Sequence, residues 1–208
     1  MMAKALLGKK IGMMHVWNDA GKQLPVTVVE AGPCSVLQIK NAEKEGYNSI
    51  QIGFEELKEK HADKATQGHQ SNSKEKTGSY YRHLIEVRDY PESVNVGDTL
   101  SCALFEKGES VYVSGTGKGK GFQGVVKRYG FHGGRKTHGS TFHRSTGAIS
   151  AGTYPGRVNK GKKMPGRMGG KTVTIKNVDI VDILPEKNLI LLKGTVPGPK
   201  GSLVKIYS

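Results

Sequence analysis

Four stretches near the start of the chain carry apolar and β-branched residues in the short runs that are typical of strands. They are 5–17 (ALLGKKIGMMHVW), 23–30 (QLPVTVVE), 34–40 (CSVLQIK) and 48–54 (NSIQIGF). Turn sequences separate the first three, NDAG at 18–21 and AGP at 31–33. Short strands joined by such turns predict an antiparallel barrel or sandwich.

The end of the chain returns to the same pattern. Residues 172–208 hold 15 Val, Ile or Leu residues, and they predict two strands around a PEKN turn and a last strand at 202–207 (SLVKIY). Upstream, 94–105 (VNVGDTLSCALF) and 110–115 (SVYVSG) also resemble strands. We expect the β segments on both sides of the middle of the chain to build one antiparallel barrel.

Two segments break this pattern. Residues 58–79 contain no Val, Ile, Leu or aromatic residue, which predicts a mobile polar insertion with some helix at its start. Residues 116–171 hold only four Val, Ile or Leu residues, too few for a core of their own. We therefore expect a mainly β body at 1–115 and 172–208, with the polar insertion at about 58–79, and a long, largely irregular internal extension at 116–171.

One short helix is predicted inside the extension. Phe122, Val125, Val126 and Tyr129 are spaced as one apolar stripe, which would pack onto the barrel. From 130 to 170 no period survives, and a structureless loop of about 40 residues is rare inside a compact domain. That part is expected to be disordered or to be ordered by a partner.

The net charge of the chain is concentrated in the same region. The formal net charge is +14, yet residues 1–109 hold 14 Lys or Arg and 15 Asp or Glu, and residues 179–208 hold 4 and 3. Residues 110–178 hold 14 basic residues and no acidic one. Such a block repels itself unless a polyanion neutralises it.

A dinucleotide-binding turn is the first alternative for this region, because Gly119, Gly121 and Gly124 follow a strand-like run. That turn requires an acidic residue about 20 positions later to hold the ribose, and the next acidic residue is Asp179. The alternating strands and helices of that fold are also missing. We expect no cofactor and no small-molecule substrate.

Catalytic and metal chemistry find little support either. His132, His138 and His143 have no Cys or carboxylate near them in sequence, and the basic surroundings oppose a cation. The basic segment 110–178 has no carboxylate to orient a histidine or to complete an acid–base pair. Cys34 and Cys102 have no motif around them, and two cysteines form no disulfide framework. The chain is expected to be a non-enzymatic, metal-free cytoplasmic protein.

Neither a membrane span nor a secretory signal is expected. The longest apolar runs fall short of 18 residues, and the first residues lack a continuous apolar segment with a cleavage site.

The composition of the extension is suited to nucleic acid. Cations neutralise phosphates, glycines let the backbone approach closely, and Phe131, Phe142 and Tyr154 offer rings for stacking on bases. Residues 110–178 hold 16 glycines between these groups. The cations are Lys118, Lys120, Lys127, Arg128, Arg135, Lys136, Arg144, Arg157, Lys160, Lys162, Lys163, Arg167 and Lys171.

Several ordered motifs resemble the bacterial family of large-subunit ribosomal protein three, and the similarity fades only between about 58 and 95. They are LLGKKIGMMHVWNDAGKQLPVTVVEAGP, SGTGKGKGFQGVVKRYGF, THGSTFHRSTGAI, PGRVNKGKKMPGRMGGKTVT and NLILLKGTVPGPKG.

The resemblance implies a β-barrel of the translation-protein type and an extension that enters the large-subunit rRNA toward the peptidyl transferase centre. It also implies binding near the 3′ end of that RNA, an early role in assembly, and contacts with neighbouring ribosomal proteins. The expected rRNA-binding residues lie in four groups: the N-terminal motif, the base of the extension, its length and its returning strand. They are Lys9 and Lys10; Lys118, Lys120, Lys127 and Arg128; Arg135, Lys136, His138, His143 and Arg144; and Arg157, Lys160, Lys162, Lys163, Arg167 and Lys171. These residues are carried over by motif, except for Arg135 and Lys136, which lie between the quoted motifs and are included as cations of the extension.

The extension tip differs from part of the family. The resemblance assigns the tip nearest the catalytic RNA to Ile149, Ser150, Ala151, Gly152, Thr153 and Tyr154. Some bacterial members read GSIGQ here and carry a methylated glutamine, whereas this chain reads GAISA, with Ala151 at the glutamine position. That modification is therefore excluded at this residue.

Two other functions remain open at this point. One is a free-standing RNA-binding translation or assembly factor with the same barrel. The other is an enzyme that uses the glycine turn for a nucleotide cofactor.

Overall fold

The structure, a computed structural model, describes residues 4–18, 21–88, 90 and 94–208. Asp19 and Ala20 of the expected NDAG turn lie outside the described residues. The strands are β1 (Ala5–Trp17), β2 (Gln23–Ala31), β3 (Cys34–Lys40), β4 (Ser49–Leu57), β5 (Tyr80–Arg88), β6 (Thr99–Leu100), β7 (Ser110–Thr116), β8 (Phe122–Gln123), β9 (Gly166–Arg167), β10 (Thr172–Leu184), β11 (Leu189–Lys193) and β12 (Leu203–Tyr207). The helices are α1 (Ala42–Glu45), α2 (Lys64–Thr77) and α3 (Val125–Tyr129).

Six strands close into an antiparallel barrel in the order β1, β12, β7, β10, β11, β2. Period-two alternation directs one set of side chains inward, and Leu6, Val29, Val113, Ile190 and Ile206 are buried in its core. The prediction of a mainly β fold built on an antiparallel barrel is confirmed.

The barrel is closed by strands from both ends of the chain. β7 pairs with β10, and the last pair of their ladder joins Thr116 to Thr172. β12 inserts between β1 and β7. The segment between Thr116 and Thr172 therefore begins and ends at neighbouring positions of one ladder, so the barrel closes without it.

The prediction that all the β segments form one barrel is wrong. β3 and β4 belong to a separate four-stranded sheet in the order β5, β4, β3, β6. At the turn before β3, Gly32 has a φ of +80° and its N–H donates to the Leu7 carbonyl at 3.0 Å. This turn leads the chain out of the barrel, and β11 instead pairs with β2.

The run 94–105 contributes much less strand than its composition suggested. β6 is the one strand that this run forms in the structure; it pairs with β3, and a 3-10 turn follows at Cys102–Leu104. Cys102 and Phe105 are nevertheless buried in the core, so the apolar residues pack without joining a ladder.

The polar insertion is more ordered than expected, and the prediction of a single short helix is incomplete. α2 covers Lys64–Thr77 and ends at Gly78, which has a φ of +74°. The helix packs against β3 and β5. Two polar side chains on that face, Gln70 and Ser73, are buried.

The Gln70 amide explains how a helix without large apolar residues is held to the sheet. Its Nε2 donates to the Tyr81 carbonyl at 2.9 Å, and its Oε1 accepts from the Tyr81 N–H at 2.8 Å. The amide thus pairs with the β5 backbone as a neighbouring strand would, and it satisfies two buried backbone groups.

We predict that Gln70→Ala lowers the free energy of unfolding by about 2–4 kcal/mol, because it leaves a buried donor and a buried acceptor unpaired. Urea denaturation measures the loss. Asn72→Ala, an exposed amide on the same helix, is the control and should change stability by less than about 0.5 kcal/mol. Equal effects of the two variants would contradict the role given to Gln70.

A second polar cluster links β3 to β5. Lys40 Nζ donates to Glu86 Oε1, and Tyr47 Oη donates to Glu86 Oε2 at 2.8 Å. The Lys40 ammonium and then the Tyr47 hydroxyl hold the pKa of the Glu86 carboxyl below its usual value. A lowered folded-state pKa contributes stability above the unfolded-state pKa, and that stability is lost as the pH falls through the folded-state pKa.

We predict that wild type is more stable than Glu86→Gln at about pH 7 and that this difference narrows as the pH falls below the unfolded-state pKa and through the lowered folded-state pKa of Glu86. Urea midpoints across this range measure it. Glu75→Gln, which removes an exposed carboxylate on α2, is the control and should cost less stability at about pH 7 than Glu86→Gln does. A pH-independent difference for Glu86→Gln would refute the assignment.

Candidate nucleic-acid interface

Gly117–Lys171 forms a compact unit of its own. Its outgoing and returning arms are joined at their base by backbone hydrogen bonds. Lys120 N–H donates to the Met168 carbonyl, and Met168 N–H donates to the Gly121 carbonyl, both at 2.9 Å. β8 and β9 continue this pairing, with Phe122 opposite Arg167. The base of the extension is therefore a two-stranded ribbon.

Two glycines allow close backbone contacts in this unit, Gly169 between the two arms and Gly134 within the outgoing arm. Gly169 has a φ of +71°, and a Cβ there would overlap the Lys118 carbonyl oxygen. At Gly134 a Cβ would overlap the Phe142 carbonyl oxygen, and the Gly134 N–H donates to the His143 carbonyl at 3.1 Å. Any side chain at these positions would force the backbones apart.

α3 confirms the predicted short helix, and Val125 is buried as the stripe requires. The helix ends at Gly130, which has a φ of +73° and donates to the Val126 carbonyl at 2.9 Å. The stripe is wrong at Phe122, which lies in β8 with 77% of its surface exposed. Backbone pairing with Arg167 takes precedence there over helical spacing.

Arg128 braces the helix against the returning arm. Its Nη1 donates to the Met164 carbonyl at 2.7 Å, and its guanidinium lies 5.0 Å from the centre of the Tyr129 ring. Lys163 Nζ lies 5.7 Å from the same ring centre. Arg128 therefore supports the shape of the extension, a role that its motif alone did not reveal.

The other cations of the unit point into solvent. Of the 13 basic residues in Gly117–Lys171, 12 are exposed and Arg128 is half-buried. With no acidic residue between 110 and 178, none has a carboxylate partner within this stretch. Clustered like charges raise the local potential and attract a polyanion.

The three histidines and the tip are also exposed. His132, His138 and His143 lie on the surface, and His138 has a φ of +60°. In the part of the chain that the structure describes, no group of three His, Cys, Asp or Glu residues could hold a metal ion. The predicted tip residues 149–154 are all exposed, and Tyr154 is 88% exposed.

The two predicted sites in the N-terminal motif differ from each other. Lys9 lies 3.6 Å from Glu55 Oε1 and is partly exposed. Lys10 is buried and donates to the carbonyls of Val196 at 3.0 Å and Gly198 at 3.3 Å. A buried ammonium that holds a loop is not available to a phosphate, so we remove Lys10 from the predicted interface.

The cysteines lack the features of nucleophiles. Burial raises the pKa of the Cys34 thiol to about 12, against a weaker opposing effect of its hydrogen bond to the Leu7 carbonyl. Burial also raises the pKa of Cys102. A thiol with a raised pKa holds its proton at neutral pH and attacks poorly.

Among the residues the structure describes, there is no helix with the length and apolar character needed to cross a membrane.

Comparison with known proteins points in one direction. The family described as Ribosomal protein L3 matches residues 89–188. The chain is 52% identical over 204 residues to the large ribosomal subunit protein uL3 of Desulfotalea psychrophila, with 98% of this chain and 97% of the relative covered. It is 49% identical over 206 residues to the large ribosomal subunit protein uL3 of Syntrophotalea carbinolica, with 99% and 97% covered.

We predict that Gly169→Ala opens the ribbon at the base of the extension, because its new Cβ would collide with the Lys118 carbonyl. Hydrogen exchange of the Lys120 and Met168 amides, which bond across the ribbon, should then become faster. Gly119→Ala is the matched control, since a Cβ there has open space around it. Unchanged exchange in Gly169→Ala would show that the arms are not paired at their base.

Proposed function

The chain belongs to the ribosomal protein L3 family of the large ribosomal subunit, and from this premise we propose that its internal extension binds the rRNA of that subunit. As a member of this bacterial family the protein is a cytoplasmic ribosomal protein. The relatives carry the name of a ribosomal protein and not of an enzyme.

The observation that carries the proposal is the row of exposed cations with no acidic residue between 110 and 178. Each cation that meets a phosphate releases condensed counterions, which favours binding. In the body, by contrast, Lys9 is paired with Glu55, Lys40 with Glu86 and Lys193 with Asp179. The positive charge that lacks nearby carboxylates is therefore concentrated in the extension.

The burial pattern supports the proposal that the extension becomes fully ordered when it binds RNA. Val125 is the one residue of Gly117–Lys171 that is buried, so the unit has almost no apolar core. Segments of this kind gain stability from a partner that supplies the missing contacts. We propose that rRNA is this partner and that 116–171 acts as an rRNA-penetrating extension.

The proposed rRNA-binding residues follow from the cations and histidines described above. Lys9, which is partly exposed and ion-paired with Glu55, stays in the set as its one member outside the extension. Arg128 acts mainly as a brace. The remaining members are Lys118, Lys120, Lys127, Arg135, Lys136, His138, His143, Arg144, Arg157, Lys160, Lys162, Lys163, Arg167 and Lys171.

Three finer assignments belong to the same proposal. The protein binds near the 3′ end of the large-subunit rRNA, it helps nucleate assembly, and residues 149–154 reach toward the peptidyl transferase centre. The exposure of the whole tip, with Tyr154 at 88%, is compatible with close RNA packing. Neighbouring large-subunit proteins are the expected protein partners.

We predict that affinity for a transcript of the 3′ part of the large-subunit rRNA falls steeply with salt, with a log–log slope of roughly −7 to −9 for about 10 phosphate contacts. The double variant Lys160→Gln and Lys162→Gln should make this slope shallower by about 1.5. Filter binding over a salt series measures both values.

The control is the double variant Lys58→Gln and Lys60→Gln, which removes two exposed body lysines at the same spacing. It should leave the slope unchanged. A flat salt dependence of the wild type, or an equal change in both variants, would overturn the proposal. Sedimentation of cell extract then separates permanent residence in the large subunit from the alternative of a free-standing factor.

A further inference from the structure

Phe122 has an environment that its motif did not predict. It lies in β8 at the base of the extension, and 77% of its surface is exposed. Burying a Phe side chain is normally favourable, because its ring offers a large apolar surface. The exposed surface of this ring on the glycine-rich ribbon is therefore available to be buried by a partner.

Its neighbours indicate the chemistry of that partner. Phe122 is directly opposite Arg167, and opposite residues of an antiparallel pair project from the same face of the ribbon. Lys118 and Lys120 precede Phe122 on the same arm, and both are exposed. A flat apolar ring with cations near it in the ribbon matches an unpaired nucleotide. The base can stack on the ring, and the phosphate can pair with a cation.

The other aromatic rings near the base already have partners within the unit. Tyr129 carries Arg128 and Lys163 near its ring and lies 6.3 Å from Phe131, centre to centre. In the residues that the structure describes, Phe122 has no aromatic ring packed against it and no Lys or Arg charge over its ring. Its face is therefore open for stacking.

We propose that Phe122 is a base-stacking platform that receives one unpaired rRNA base at the root of the extension, with Arg167 beside it for a backbone phosphate. This inference rests on the proposed rRNA-binding function and adds to it a single site with its own ligand chemistry.

The test uses the full chain and the same 3′ rRNA transcript. Phe122→Leu keeps an apolar side chain but removes the aromatic face, so affinity should fall by about 5- to 150-fold, the range measured for loss of one stacked base. Phe122→Tyr keeps the face and should bind like the wild type. Because no charge is removed, the salt slope should stay unchanged in both variants, in contrast to Lys127→Gln.

Two controls distinguish stacking from other roles. Trp17→Leu removes another exposed ring, 67% exposed and outside the extension, and it should leave affinity unchanged. Thermal unfolding of Phe122→Leu should match the wild type, since an exposed ring contributes little to the fold. Ultraviolet crosslinking of assembled subunits, followed by mass spectrometry, should find a nucleotide adduct on Phe122.

The outcomes separate the two proposals. If wild type fails to bind the transcript, the proposed function itself fails. If wild type binds and Phe122→Leu binds equally well, or loses thermal stability, or if Trp17→Leu loses as much affinity, the stacking platform is refuted and the rRNA-binding function stands.

Discussion

The pairing of Thr116 with Thr172 is the constraint on which the arrangement of this chain depends. It ends the ladder between β7 and β10 and brings the two ends of a 55-residue segment, Gly117–Lys171, to adjacent backbone positions. Loop closure entropy grows only with the logarithm of length, about 3.5 kcal/mol plus a constant for such a segment. The barrel core can offset a cost of this size, so the extension is free to change without endangering the closure.

The body and the extension differ in how their acidic and basic residues are distributed. The body places acidic residues among its basic ones, and Glu55 alone lies within ion-pair distance of Lys9, Arg82 and His83. The extension contains no acidic residue, so its cations repel one another unless a polyanion neutralises them. The charges of the body are thus partly balanced within the chain, whereas the proposed function supplies the balancing charges of the extension from RNA.

Local pattern predicted the features that depend on local interactions. The strands at 5–17 and 34–40 have the predicted bounds, and the short helix forms after Gly124. The division of strands between the barrel and the second sheet was missed, because it depends on pairing between distant segments. α2 was underestimated, because one buried amide, Gln70, replaces the apolar face that composition analysis looks for. Phe122 was assigned to a helix, because its spacing fits one and the competing partner, Arg167, lies 45 positions away.

The candidate site follows the same division. Composition found the cations, because a charge needs no fold to be counted, but it could not tell Lys10 from Lys9 or Arg128 from Lys127. Those distinctions arise from which carbonyls a fold brings near each side chain, as with Val196 for Lys10 and Met164 for Arg128. The same reasoning applies to the rings. An extension with one buried residue cannot use its aromatic side chains for a core, and RNA is the polyanion that offers flat bases as well as phosphates. Exposed rings among exposed cations thus match both halves of a nucleotide.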